Sequence, residues 1–202
     1  MRRTPSCLFA VLICTLLLGA ACGSDSGPAE TGEGDTAATT TAGERIDTDV
    51  GEALLWGDGD SGVVLAHGAA FDAESWTDHA THIAAAGTTV AAADDISPEG
   101  LEAAVTYLQD ARGIAGVALI GASAGADGIL DLVSQQPDLP DQLIVLSPNS
   151  VVDGLGVSPK LFIASEDEPV ADVSTEMADT AEGDDNEAII LPGSAHAQNI
   201  FD

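Results

Sequence analysis

Residues 116–130, GVALIGASAGADGIL, limit what this chain can fold into more than any other stretch. The apolar run 117–120 fits a buried strand. It passes directly into Gly121, Ala122, Ser123, Ala124 and Gly125, a turn of small residues opening a helix that ends before Pro137. A strand, a tight turn with serine at its apex and a helix form a nucleophile elbow. Serine held in such a turn sits in strained backbone, so the residues two before and two after it must be small for the main chain to fold back; Gly121 and Gly125 meet that need. The turn aims the Ser123 hydroxyl away from the sheet. It also leaves the Ala124 amide free at a helix N-terminus, where it can face a developing oxyanion. A bare G-x-S-x-G match is weak in a chain rich in alanine and glycine, and glycines that merely let a helix pack close to a strand would leave the same letters. The preceding strand and following helix are what favour the catalytic reading.

The rest of the domain supplies alternating elements. Two short apolar strands, 52–56 and 63–66, flank GDGDSG, a run of turn residues that reads as a hairpin. The second ends in His67, Gly68, Ala69 and Ala70. A helix over 75–86 stops at Gly87, and a strand over 88–92 follows. The next helix opens with Ser97 as N-cap and Pro98 in its first turn, turns Leu101, Ala104, Val105 and Leu108 to one side, and stops at Gly113. Beyond the elbow come strands over 142–146, 161–164 and 188–191, with a weaker helical segment over 171–181. Strands alternating with helices predict an α/β fold, a mostly parallel sheet with helices on both faces and ligands beyond the carboxyl ends of the strands. Ser123, His67 with Gly68, Asp167 in LFIASEDEPV and His196 in IILPGSAHAQNIF each lie just past a strand, so four loops would converge at one edge.

The N-terminus has a different purpose. Arg2 and Arg3 precede an apolar core over 8–18, and Gly19, Ala20, Ala21 and Cys22 follow, which makes residues 1–21 a signal peptide. The apolar stretch is shorter than the roughly 18 residues that suggest a membrane span. Its end resembles a bacterial lipobox, with Gly19 where leucine is usual, and implies cleavage before Cys22 and lipid on its thiol; ordinary cleavage after Ala21 is the alternative. Cys7 and Cys14 fall inside the removed segment, so Cys22 is the one cysteine of the mature chain, better explained by lipidation than by a disulfide. Residues 22–43 hold no large apolar side chain and form a flexible acidic tether. A chain of about 20 such residues reaches on the order of 25 Å, enough to hold a domain, residues 44–202, clear of a membrane. The expected location is therefore the bacterial cell envelope, exported and membrane-anchored.

Charge excludes other classes. The formal net charge is -29, which argues against nucleic acid, whose phosphates need lysine and arginine, and against electrostatic adhesion to anionic lipid. The acids are scattered, without calcium-loop spacing. His79 and His82, three apart on a helix, lack an evident third ligand, so no metal site is expected.

From Glu52 onwards the chain resembles the α/β-hydrolase family, and within it the small lidless members related to dienelactone hydrolases and carboxylesterases. The order serine, acid, histidine is the family's. The resemblance implies Ser123 as nucleophile, His196 as general base and then acid, and Asp167 as the carboxylate that orients the imidazole. Glu166 and Glu168 flank Asp167, and Asp153 is a further candidate for that role. The pair His67-Gly68 resembles the loop that supplies a second oxyanion amide, here Ala69 beside Ala124, with His67 shaping the loop. Dienelactone hydrolases usually carry cysteine as nucleophile, so serine points to ordinary esters. The function implied is a cell-envelope serine esterase working through an acyl-enzyme without cofactor, with thioesters, lactones and small amides also open. The alternative is a surface binding module that retains the fold without turnover. Residues 147–159 are too few for a lid, so the site should be open and shaped by Phe71, Trp76 and Val151. The family continues past its histidine into a last helix, but this sequence ends at Asp202. Either the domain is minimal or the chain is cut short, and exposed apolar sheet surface would then favour a homodimer.

Overall fold

The computed structural model describes residues 41–201. The signal segment 1–21, Cys22 and residues 23–40 of the tether lie outside the described residues. One eight-stranded sheet organises the rest: β1 (Glu44–Asp47), β2 (Glu52–Trp56), β3 (Ser61–Ala66), β4 (Thr88–Ala93), β5 (Val117–Ala122), β6 (Gln142–Leu146), β7 (Lys160–Ser165) and β8 (Asn186–Leu191). Their order across the sheet is β1-β2-β4-β3-β5-β6-β7-β8. Every pairing from β4 and β3 through to β8 is parallel, and β1 and β2 add an antiparallel edge.

The hairpin expected between β2 and β3 does not form. β4 lies between them, antiparallel to β2 and parallel to β3. The GDGDSG connection crosses the start of β4, where the Thr89 hydroxyl donates to the Gly59 carbonyl at 2.8 Å. Gly59 lies so close to the Gly87 carbonyl that a Cβ there would overlap it. Gly59 is therefore required for a close crossing, not for a tight turn. The hairpin is instead β1–β2, closed where the Thr48 N–H donates to the Gly51 carbonyl at 3.0 Å.

Helices cover the sheet unequally. On one face α2 (Pro98–Thr106), α3 (Ala124–Gln135) and α4 (Ala171–Thr180) pack against β3, β4, β5, β7 and β8 and bury Val64, Leu119, Val145 and Phe162. Each such side chain contributes about 1.5–3 kcal/mol of transfer free energy. The Ser97 hydroxyl accepts the Gly100 N–H at the N-cap of α2, with Pro98 next, as the sequence predicts. Past Thr106 that helix widens into a π-helical turn, Tyr107–Ala111, before the stop at Gly113. On the other face a 3-10 turn (Ala73–Trp76) and α1 (Thr77–Ala85) cover β2, β3 and β4, burying Leu65, Trp76, Val90 and Ala92.

Over β5 to β8 that second face is less protected. The register sets Ile120 beside Ile144 and Ile163 beside Ile189. The first three are only partly buried and Ile189 is 36% exposed. Among the described residues no α-helix follows β8; a 3-10 turn, Ala197–Phe201, comes next and touches β7. Residues 147–159 contain neither helix nor strand, so among the described residues the connection from β6 to β7 forms no lid domain.

Candidate active site

The site begins with a backbone constraint. Ser123 has φ 50° and ψ -113°, a conformation that costs a non-glycine residue on the order of 1–3 kcal/mol and persists only where its surroundings enforce it. The enforcement is visible. The Ser123 N–H donates to the Leu146 carbonyl at the end of β6, 2.9 Å away, and the Ser123 carbonyl accepts the Asp127 N–H at 3.0 Å. A Cβ on Gly121 would stand 2.7 Å from the Gly125 carbonyl oxygen and 2.8 Å from Ala126 Cα. One on Gly125 would overlap the Ala66 carbonyl and lie 2.6 Å from that of His67. The two glycines therefore let β5, the first turn of α3 and the end of β3 meet at backbone contact. Ala124 is the first residue of α3, so its N–H has no acceptor within the helix.

Three non-glycine residues with positive φ occur among the described residues: Ser123, Ser147 and Ala197. All three belong to one hydrogen-bonded group. His196 Nε2 lies 3.0 Å from Ser123 Oγ, and His196 Nδ1 lies 2.6 Å from Glu168 Oε2. An ionised carboxylate only accepts, so Nδ1 carries the proton facing Glu168, and Nε2 of the neutral ring is left to accept from the Ser123 hydroxyl. The His196 side chain is 44% exposed, whereas that of Glu168 is 2% exposed. The imidazole thus stands between solvent and a carboxylate removed from it.

That carboxylate is Glu168, not Asp167. β7 ends at Ser165, and the chain turns at once, the Glu168 N–H donating to the Ser165 carbonyl at 3.2 Å. Glu166 and Asp167 lie on the outside of the turn and are exposed, while Glu168 comes round beneath the histidine. Asp167 contributes its backbone instead, its N–H bonding the Gly193 carbonyl at 2.9 Å. Glu168 Oε1 accepts the Ser165 N–H at 2.7 Å and the Ser147 hydroxyl at 2.9 Å. Asp153, on the loop after β6, is exposed.

Three site residues were not singled out from the sequence. The buried Ser147 hydroxyl gives its hydrogen to Glu168 and accepts the Ala197 N–H at 2.9 Å, joining Glu168 to the residue after His196. Ser165 donates to the Ala195 carbonyl at 2.6 Å. Gln198 bonds the Gly68 amide. Each lies at or next to a strand end or beside the histidine, but nothing in a lone serine or glutamine separates it from a surface residue.

The loop after β3 lies alongside. A Cβ on Gly68 would be 3.6 Å from the Ala122 carbonyl, so this loop borders the elbow. The Gly68 carbonyl accepts the Phe71 N–H at 3.0 Å, closing a turn with Ala69 and Ala70 at its centre. The amides of the two central residues take no part in that bond. His67 is buried, with Nδ1 2.9 Å from the Gly68 carbonyl and Nε2 3.3 Å from that of Asp94, the loop-shaping position expected of it. Opposite, Asp127 accepts from the Asn149 N–H and amide side chain at 3.1 and 2.7 Å, fastening the loop after β6 to α3. Phe71 and Val151 are each 37% exposed, but Trp76 is 1% exposed and belongs to the core, so it cannot line an open pocket. His82 bonds the Asp78 carbonyl, and His79 packs edge-on to Trp76 and against Phe201. Among the described residues no group of three or more His, Cys, Asp or Glu could hold a metal ion.

No family model and no curated protein matches the chain. Solved structures do. Est1E from Butyrivibrio proteoclasticus is 14% identical with a TM-score of 0.61, covering 77% of this chain and 90% of that one. A thermophilic esterase from Thermogutta terrifontis is 13% identical with a TM-score of 0.56, covering 76% and 90%. Epoxide hydrolase A from Mycobacterium thermoresistibile is 17% identical with a TM-score of 0.58, covering 77% and 92%. At these identities the likeness concerns the fold, and the chain has the α/β-hydrolase fold.

Proposed function

We propose that this chain is a serine hydrolase cleaving carboxylic esters through a covalent acyl-enzyme, with Ser123 as nucleophile, His196 as general base and then acid, and Glu168 as the carboxylate that orients the imidazole. The observation that carries the reading is the single line of contacts from Ser123 Oγ to His196 Nε2 at 3.0 Å and from His196 Nδ1 to Glu168 Oε2 at 2.6 Å. The fold by itself leaves the reaction open, since an esterase and an epoxide hydrolase are both among the similar structures. The contacts among these three side chains support the serine-hydrolase class.

In the proposed cycle Ser123 Oγ bonds to the acyl carbon as its proton passes to His196 Nε2, and the imidazolium is held against Glu168. The carbonyl oxygen becomes an oxyanion received by the amides of Ala69 and Ala124. Collapse breaks the bond to the alcohol, which leaves with the proton from Nε2. Water then gives a proton to His196 and its oxygen to the acyl carbon, the acid departs, and the proton returns to Ser123. Thioesters, lactones and small amides share this intermediate; the ester is proposed because the nucleophile is serine and the loop over 147–159 leaves the site open.

The proposed setting is the bacterial cell envelope, with lipid on Cys22 and a tether between membrane and domain. Support comes from the order of the basic start, apolar core and small residues before that cysteine. A second copy of the chain is the proposed cover for the exposed face of β5 to β8. The catalytic proposal is tested by hydrolysis of 4-nitrophenyl acetate and butyrate. Wild-type protein should turn over, and Ser123→Ala, with an unchanged thermal unfolding curve, should lose about 10⁴-fold or more in kcat. Turnover retained by Ser123→Ala would contradict it.

A further inference from the structure

The line from Ser123 to Glu168 leaves one buried polar side chain beside it unexplained. Gln198, two residues past His196, is 6% exposed. Its Oε1 accepts the Gly68 N–H at 2.9 Å, and its Nε2 donates to Ser75 Oγ at 2.8 Å. Ser75 in turn gives its hydroxyl hydrogen to the Asp72 carbonyl, and its N–H donates to Asp72 Oδ1 at 3.1 Å. The polarity of this chain is forced. A backbone N–H can only donate, so the amide oxygen of Gln198 must face Gly68 and its NH₂ must face Ser75, whose one hydrogen is then left for Asp72. Nothing in the chain can be reversed without losing a bond.

The bond to Gly68 falls at the base of the Ala69–Ala70 turn, the same residue whose carbonyl closes that turn on Phe71. The other end of Gln198 belongs to the segment carrying His196. Backbone pairing does not relate these two segments directly, because β5, β6 and β7 lie between β3 and β8 in the sheet. The segment after β8 comes back over the sheet, where its 3-10 turn touches β7, and the Gln198 side chain bonds it to the loop after β3. We propose that Gln198 is a positioning residue: it holds the Ala69 amide in line with the oxyanion and couples that amide to the placement of the base. The inference rests on the serine-hydrolase reading of the same site. Its energetic logic is that a donor is effective only where the oxyanion forms, and a displacement of about 1 Å at a reacting centre costs on the order of 100-fold in rate.

The test compares the full chain with Gln198→Met, which keeps the length of the side chain but neither hydrogen bond, and with Ser75→Ala, which removes only the outer link. Backbone amide exchange over residues 68–71, kcat and KM for 4-nitrophenyl acetate, and cooperative thermal unfolding are measured on each. Gln198→Met should exchange about 10-fold or more faster over residues 68–71. Its kcat should fall about 10- to 100-fold with KM within about twofold. Ser75→Ala should move the same quantities in the same direction by less. A folded Gln198→Met with kcat within twofold of wild type, or with exchange over residues 68–71 unchanged, overturns the inference. If that variant does not fold, Ser75→Ala decides: unchanged exchange and kcat overturn it. Wild-type protein inert to esters sinks the hydrolase reading whatever the variants do, whereas an active wild type with an unaltered Gln198→Met sinks this inference alone.

Discussion

Glu168 serves three partners at once, and its length matters. Oε1 is occupied by Ser165 and Ser147, which leaves Oε2 for His196. Glu168→Gln keeps the shape but has one oxygen instead of two, so either the histidine or the Ser165 amide must face an NH₂ group. The expected result is a fall in kcat of about 10³- to 10⁴-fold with little change in KM, because the imidazolium loses its counter-charge. Asp167→Asn, on an exposed side chain, should stay within about twofold. Steady-state kinetics of the two variants side by side checks both, and the opposite ranking would restore Asp167 as the acid. The strained turn at Ser123 was legible because its constraint is local, carried by the glycines on either side. Which carboxylate meets His196 was not, because which of three successive acids turns inward depends on a turn held from another loop, where the Asp167 amide meets Gly193.

At the scale of elements, the elbow works as one unit made from β3, β5, β6 and α3. Gly125 is the tightest joint, since a methyl there would press on the backbone carbonyls of Ala66 and His67, neither of which can rotate aside. Gly125→Ala should therefore destabilise by about 3 kcal/mol or abolish folding, read from denaturant unfolding. A change below about 1 kcal/mol would mean that β3 and α3 are free to separate. Element positions were largely readable from apolar runs and caps; the strands and helices after β4 match to within a residue or two. Pairing was not readable between β2 and β3. GDGDSG has the composition of a tight turn, but the pairings place β4 between β2 and β3, and the connection crosses its start with Gly59 packed against Gly87. The edge strand β1 was missed because ERID, with one buried side chain, has no pattern to betray it.

For the whole molecule, charge and coverage pull in opposite directions. The net charge is -29, and the few strong bases give little relief. Arg45 is committed to Glu52, Glu74 and Asp94. Lys160 is enclosed by the carbonyls of Gly156, Ser158 and Glu182, and burial lowers its pKa. Repulsion between copies should dominate at low salt, while the isoleucines of β5 to β8 favour contact once it is screened. Raising ionic strength from about 0.01 M to about 1 M shortens the screening length from about 30 Å to about 3 Å. Sedimentation velocity should show a monomer in the first condition and a dimer in the second. A monomer at every concentration and salt would leave the proposed second copy without support.

The assignment of an activated Ser123 is tested most directly by a fluorophosphonate probe, which bonds to a serine oxygen only when a neighbouring base takes its proton. Intact-protein and peptide mass spectrometry of the full chain should place one phosphonyl group on Ser123, with none acquired by His196→Ala under the same conditions. A folded wild-type protein that takes up no probe, or takes it up equally well without His196, would contradict the assignment and leave a binding module on a hydrolase fold as the reading to pursue.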